Sequence, residues 1–160
     1  VLFDETLDGW TLLGAGVTGL YAGPGVDASG RQRAEALLSS AGATVWVAEE
    51  TLIDAVTAVS GSGPAYAFLL AEAMEAAAIA EGLPAADART LVVQTLLGAG
   101  RMLAEAGEDP GELRRRVTSP GGTTQAAIET FQGGGFEALV ARAVHAARER
   151  GAALAAGAGP

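Results

Sequence analysis

The pattern of apolar and polar positions changes character near Val47. Before that point it is mixed. Gly16-Val17-Thr18-Gly19-Leu20-Tyr21 predicts a short strand, and 28–41 a helix capped near Asp27 or Ser29. Ala43-Thr44-Val45-Trp46-Val47 predicts a second strand, rich in β-branched and aromatic side chains. After Val47 the chain reads as almost wholly helical. The spacing predicts helices over 50–60, 63–81, 85–106, 122–132 and 136–156. Leu83-Pro84, Asp109-Pro110-Gly111 and Gly133-Gly134-Gly135 punctuate them. Residues 1–13 stand apart. There, two apolar segments flank Asp8-Gly9, which is a hairpin-turn signal.

One helix has very small side chains nearly all round: Ala71, Ala73, Ala76, Ala77, Ala78 and Ala80, with Ile79. Such a helix suits close packing inside a bundle. Leu91, Val92, Val93, Leu96 and Leu97 supply larger partners. This is more apolar surface than one small bundle can hide.

Two small-residue turns lead into helices. In Ser119-Pro120-Gly121-Gly122-Thr123-Thr124, followed by Gln125-Ala126-Ala127-Ile128-Glu129, a proline favoured in a first helical turn precedes two glycines and two hydroxyl side chains. Free amides and the positive end of the helix dipole would suit a carboxylate or phosphate. A capped turn with no ligand is the commoner outcome for such a segment. The other is Ala58-Val59-Ser60-Gly61-Ser62-Gly63-Pro64-Ala65-Tyr66-Ala67-Phe68.

Together with Val117-Thr118, Glu50-Thr51-Leu52-Ile53-Asp54-Ala55-Val56-Thr57, Glu81-Gly82-Leu83-Pro84 and Gln94-Thr95-Leu96-Leu97-Gly98-Ala99, these two segments are ordered and spaced as in pyrroline-5-carboxylate reductase. The chain resembles the C-terminal part of that family over 14–153. The resemblance implies a mainly α fold: a C-terminal helical bundle forming an intertwined dimer, preceded by a short α/β remnant of a Rossmann domain. Residues 14–47 would be the strand-helix-strand tail of the nucleotide-binding domain. Residues 48–160 would be the helical dimerisation and substrate-binding domain, with 1–13 unmatched. The chain then reads as truncated.

The resemblance also implies a reaction: hydride passes from NADPH or NADH to the C=N carbon of 1-pyrroline-5-carboxylate, giving L-proline. Position and electrostatics matter more there than a strong acid. By position, Ser119, Gly121 and the amides of Gly122 and Thr123 would hold the substrate carboxylate. Thr124 would be catalytic, reaching the imine nitrogen. Ser62, Gly63 and Pro64 would border the nicotinamide. A homodimer is implied, with larger assemblies of dimers in some members. The alternative is a catalytically inactive homo-oligomerisation module of the same family. No cofactor is expected to bind tightly to this truncated chain, and the chain alone is expected to be inactive.

Gly14-Ala15-Gly16-Val17-Thr18-Gly19 fits the spacing of a dinucleotide fingerprint but lacks its context. A fingerprint needs a strand before it, a helix opening at the third glycine and an acid at a strand end. Here Leu20-Tyr21-Ala22-Gly23-Pro24-Gly25 follows, and Glu35 falls inside a helical pattern.

The net charge of −9 argues against nucleic acid as a partner. All ten basic residues are arginine, and the chain has no cysteine and one histidine, so no thiolate or histidine metal site is expected. No apolar run reaches membrane-spanning length and no secretory signal opens the chain, so no membrane partner and a cytoplasmic location are expected. His145 reads as a surface or packing residue. Arg114-Arg115-Arg116 reads as a solvated helix face or as partners of Glu108, Asp109 and Glu112, with a raised local potential for an anion as the other use. Glu72, Glu75 and Glu81 read as an exposed stripe, and Trp10 and Trp46 as core aromatics.

Overall fold

Three strands form one sheet in the order β1-β2-β3. β2 (Gly16–Tyr21) runs parallel to β3 (Gly42–Val47), in register from Gly16↔Gly42 to Tyr21↔Val47. The two-residue β1 (Leu2–Phe3) lies antiparallel on the other edge of β2, with Leu2 opposite Tyr21 and Phe3 opposite Leu20. The structure, a computed structural model, describes residues 2–3 and 15–157. The hairpin expected around Asp8-Gly9 lies outside the described residues. Side chains of β2 alternate as a pleat requires: Thr18 and Leu20 are buried, while Val17 is exposed.

Between β2 and β3 comes α1 (Ala28–Leu38), three residues shorter than the sequence predicts. Asp27 is its N-cap, and one carboxylate oxygen accepts the Gly30 amide at 2.7 Å and the Ser29 hydroxyl at 3.1 Å. The Gly30 amide, followed by the Ser29 hydroxyl, holds the Asp27 carboxyl below its ordinary pKa. Trp46 is not a core aromatic. It is half-buried on β3, with the Arg31 guanidinium 5.2 Å above its ring. Trp10 lies outside the described residues.

The helix expected over 50–60 is built from three kinds of turn. A 3₁₀ turn (Glu50–Leu52) leads into α2 (Ile53–Val56), which widens into a π-helical turn (Thr57–Gly61). The Ser62 amide closes the wide turn on the Thr57 carbonyl at 2.9 Å. Hydroxyls compete for backbone acceptors along this segment: Thr57 donates to the Ile53 carbonyl at 3.0 Å and Ser60 to the Val56 carbonyl at 2.9 Å. Val56 packs so closely on β2 that a Cβ at Gly19 would sit 2.6 Å from its Cγ1.

Among the described residues, the remaining elements are α3 (Gly63–Ala80), α4 (Ala85–Glu105), α5 (Pro110–Arg116), α6 (Thr123–Gly133) and α7 (Phe136–Ala155). The sequence pattern missed α5. Asp109-Pro110-Gly111 starts a helix rather than interrupting one: Asp109 is the N-cap, Pro110 stands at the first position, Glu112 lies in the first turn and three arginines fill the last.

The chain divides into two units, Val1–Pro64 with Val140–Pro160, and Ala65–Leu139. In the first, a Cβ at Gly151 of α7 would meet an Asp54 carboxylate oxygen at 3.4 Å, so the end of α7 lies on α2. In the second, Arg89 of α4 pairs with Glu75 of α3 at 3.5 Å. Ala88, Val92 and Leu113 are buried, and the Phe131 and Phe136 rings meet edge to face at 5.5 Å. Glu75 is thus half-buried and paired, while Glu72 and Glu81 are exposed.

α3 buries no side chain completely, and Phe68 and Leu69 are 65% and 66% exposed. On α4, Leu91, Leu97 and Leu103 are likewise more than half exposed. These large apolar groups gain stability only if another surface covers them. Among the described residues, no helix is long and apolar enough to cross a membrane.

Candidate functional site

The 119–124 loop joins α5 to α6. α5 ends where the Thr118 hydroxyl donates to the Arg114 carbonyl at 2.7 Å. The chain then reverses in a β-turn, closed by the Gly122 amide on the Ser119 carbonyl at 3.0 Å. Pro120 occupies the second position and Gly121 the third, with φ +71°, which makes it a type II turn. Gly121 is needed there because side chains with a Cβ disfavour that backbone region. Pro120 therefore belongs to the turn and not to the first turn of the helix. The helix begins at Thr123, with Gly122 as an N-cap that offers no side chain.

This geometry reassigns the amides. The Gly122 N–H is committed to the turn and is not directed at a ligand. Among the described residues, no group accepts from the amides of Thr123, Thr124 and Gln125. These are the first unpaired donors of an eleven-residue helix, where its dipole is positive. The hydroxyls of Ser119, Thr123 and Thr124 likewise have no partner among the described residues. Ser119 and Thr123 are exposed, and Thr124 is half-buried.

Gln125 went unnoticed in the sequence. Its side-chain oxygen accepts the Gly121 amide at 2.7 Å, and its NH₂ donates to Glu129 at 2.7 Å. The signal was present: Gln125 is the third residue of the helix, where a glutamine reaches back over the start of the helix, here to the residue before the cap, and Glu129 follows at i+4.

Behind the loop, Arg114, Arg115, Thr118, Gln125, Ile128, Glu129 and Gln132 line a groove of about 210 Å³. Two of the three clustered arginines are engaged, Arg115 with Glu112 and Arg116 with Glu108. Arg114 lies close enough to Glu137 to favour its charged form. The larger causes of the lowered Glu137 pKa are the hydrogen bond from its own backbone amide and that from Gln132. His145 is exposed on α7.

Ser62, Gly63 and Pro64 lie in the other unit, where the π-helical turn passes into α3. All three are half-buried. A Cβ at Gly63 would meet nothing within 4 Å, so the space beside it is open. Gly16 and Gly19 of the fingerprint-like run lie within β2, so no strand-to-helix phosphate turn forms there.

Comparison with known proteins decides the family. The family model for pyrroline-5-carboxylate reductase dimerisation matches residues 50–154. The chain belongs to this family. It is 54% identical over 144 residues to a pyrroline-5-carboxylate reductase of Pseudomonas aeruginosa, covering 90% of this chain and 53% of that protein. Among solved structures, a pyrroline-5-carboxylate reductase from Coxiella burnetii superposes with a TM-score of 0.85 at 42% identity, over 89% of this chain and 53% of that one. The Plasmodium falciparum pyrroline carboxylate reductase with NADP bound gives a TM-score of 0.77 at 28% identity, over 88% of this chain and 57% of that one. The chain thus spans about half the length of the curated relatives it matches. The resemblance read from the two small-residue turns is borne out, as is a mainly helical fold with a small parallel α/β element.

Proposed function

We propose that this chain is the substrate-binding half of a cytoplasmic pyrroline-5-carboxylate reductase of proline biosynthesis. Its residues 48–160 hold 1-pyrroline-5-carboxylate while hydride from NADPH or NADH reduces the C=N bond to give L-proline. One observation carries the reading. Within the matched segment, the amides of Thr123, Thr124 and Gln125 have no acceptor among the described residues, and beside them the half-buried Thr124 hydroxyl has no partner among those residues either.

The substrate carboxylate rests on the amides of Thr123, Thr124 and Gln125, with the Ser119 hydroxyl as a further donor and Gly121 supplying the bend. The Thr124 hydroxyl hydrogen-bonds the ring nitrogen and polarises the C=N bond. Ser62, Gly63 and Pro64 border the nicotinamide, which supplies the hydride when bound. Each helix-terminal or charge-assisted contact adds roughly 0.3–2 kcal/mol. Several together orient the ring, and orientation is the main demand of this reaction.

The exposed apolar groups of α3 and α4 are covered by a second copy, giving a homodimer, with larger assemblies of dimers built on it. The position of Gly16 and Gly19 in β2 supports a second reading, in which this chain alone associates but does not turn over. One experiment separates the two. Joining the nucleotide-binding half of a relative ahead of Gly14 restores NADPH-dependent reduction of pyrroline-5-carboxylate, while the chain alone shows neither NADPH loss nor saturable cofactor binding by calorimetry. A joined protein that folds, binds NADPH and reduces nothing would leave only the association module.

A further inference from the structure

The central peptide of the 119–122 turn, between Pro120 and Gly121, has two available orientations. Type I and type II turns differ mainly by a flip of this peptide. Its N–H is the Gly121 amide, the group that Gln125 holds at 2.7 Å. The orientation of the Gln125 amide group is itself determined. Glu129 only accepts and the Gly121 N–H only donates, so both 2.7 Å bonds form with one placement of the side-chain oxygen and nitrogen. Reversed, it would set N–H against N–H and oxygen against carboxylate.

We infer that Gln125 is a positioning residue for the substrate anion: it locks the turn peptide in the type II orientation, and Glu129 locks Gln125. A peptide's C=O and N–H point in opposite directions. A flip would therefore turn the Pro120 carbonyl toward the side of α6 that Gly121 N–H now faces. An oxygen would then stand near the amides of Thr123 and Thr124, and would repel a carboxylate there. The inference rests on the reading of the 119–124 loop as the carboxylate site.

The test is amide NMR on the 160-residue chain, titrated separately with proline and with sulfate. Gln125→Met keeps length but removes the acceptor. It should speed hydrogen exchange at Gly121 and weaken both anions about three- to tenfold. The pair Gln125→Glu with Glu129→Gln keeps net charge and exchanges donor for acceptor, and it should restore Gly121 protection. Gln132→Met removes a glutamine on the same groove that bonds Glu137 instead, and it should leave Gly121 unchanged. Unaltered Gly121 exchange and unaltered anion affinity in Gln125→Met would overturn the positioning role while leaving the anion site intact. If the unsubstituted chain shows no saturable shift at Thr123 and Thr124, the carboxylate reading falls, and the positioning role with it.

Discussion

The Gly122 amide donates to the Ser119 carbonyl at 3.0 Å, and this bond separates the turn from the helix. It takes one amide out of the proposed carboxylate site, and among the described residues no group accepts from the next three. The geometry at Gly121 is part of the same arrangement, and it gives the first prediction. Gly121→Ala forces a Cβ into a left-handed conformation at a cost of roughly 1–2 kcal/mol. Proline and sulfate should bind measurably more weakly by NMR, with the loop amides of 121–124 shifted. Gly121→Asn should be the milder change, because asparagine tolerates that region.

Activity of the joined enzyme distinguishes the roles of the two hydroxyls. Thr124→Val keeps the branched shape and removes the hydroxyl proposed to polarise the imine. We expect a loss of about 10- to 1000-fold in kcat/KM, or roughly 1.4–4 kcal/mol of transition-state stabilisation. Ser119→Ala should chiefly raise KM, since the carboxylate is held alike before and during hydride transfer. Parent-like kinetics in both variants would reduce the loop to a helix cap.

Association is checked by light scattering. The chain should be at least dimeric at micromolar concentration, given the exposed Phe68, Leu69, Leu91 and Leu97. Leu97→Glu places a charge among these apolar groups and should shift the equilibrium toward monomer. A folded monomer from the unsubstituted chain across micromolar concentrations would refute the covered face.

The N-cap of α1 gives a pH dependence. The folded-state pKa of Asp27 lies below its unfolded value, so its contribution is present above the unfolded pKa and is lost as pH falls through the folded one. Asp27→Ala should lower thermal stability at neutral pH and flatten the acid limb of the stability profile. Asp27→Asn should keep the cap while also flattening the acid limb. Thermal melts across the acid range would register both.

β3 was legible from its β-branched and aromatic run, α4 from its helical spacing of apolar groups, and α3 from its unbroken run of small helix-forming residues. The two turns were legible as small-residue motifs. Their hydrogen bonding was not, because the sequence cannot say whether Pro120 opens a helix or sits in a turn before it. Gly121 at φ +71° decides that, and only the backbone shows it. The π-helical turn at Thr57–Gly61 was not legible, because the wide turn is defined by the Ser62 amide bonding the Thr57 carbonyl, which the apolar spacing does not report. α5 was hidden by Pro110-Gly111, a pair that reads as a breaker unless Asp109 is recognised as its cap. Trp46 read as core because it is large and apolar, but Arg31 stands over the ring and the side chain stays partly accessible.

Both tryptophans of the chain, Trp10 and Trp46, precede residue 48, so the helices beyond it are silent in tryptophan emission. With Arg31 over its ring, Trp46 reports by its emission on the strand-helix-strand element, whereas far-ultraviolet dichroism follows mainly the helices. An unfolding curve recorded by the two optical methods therefore tracks different parts of one polypeptide, and coincident midpoints would mean that those parts melt together.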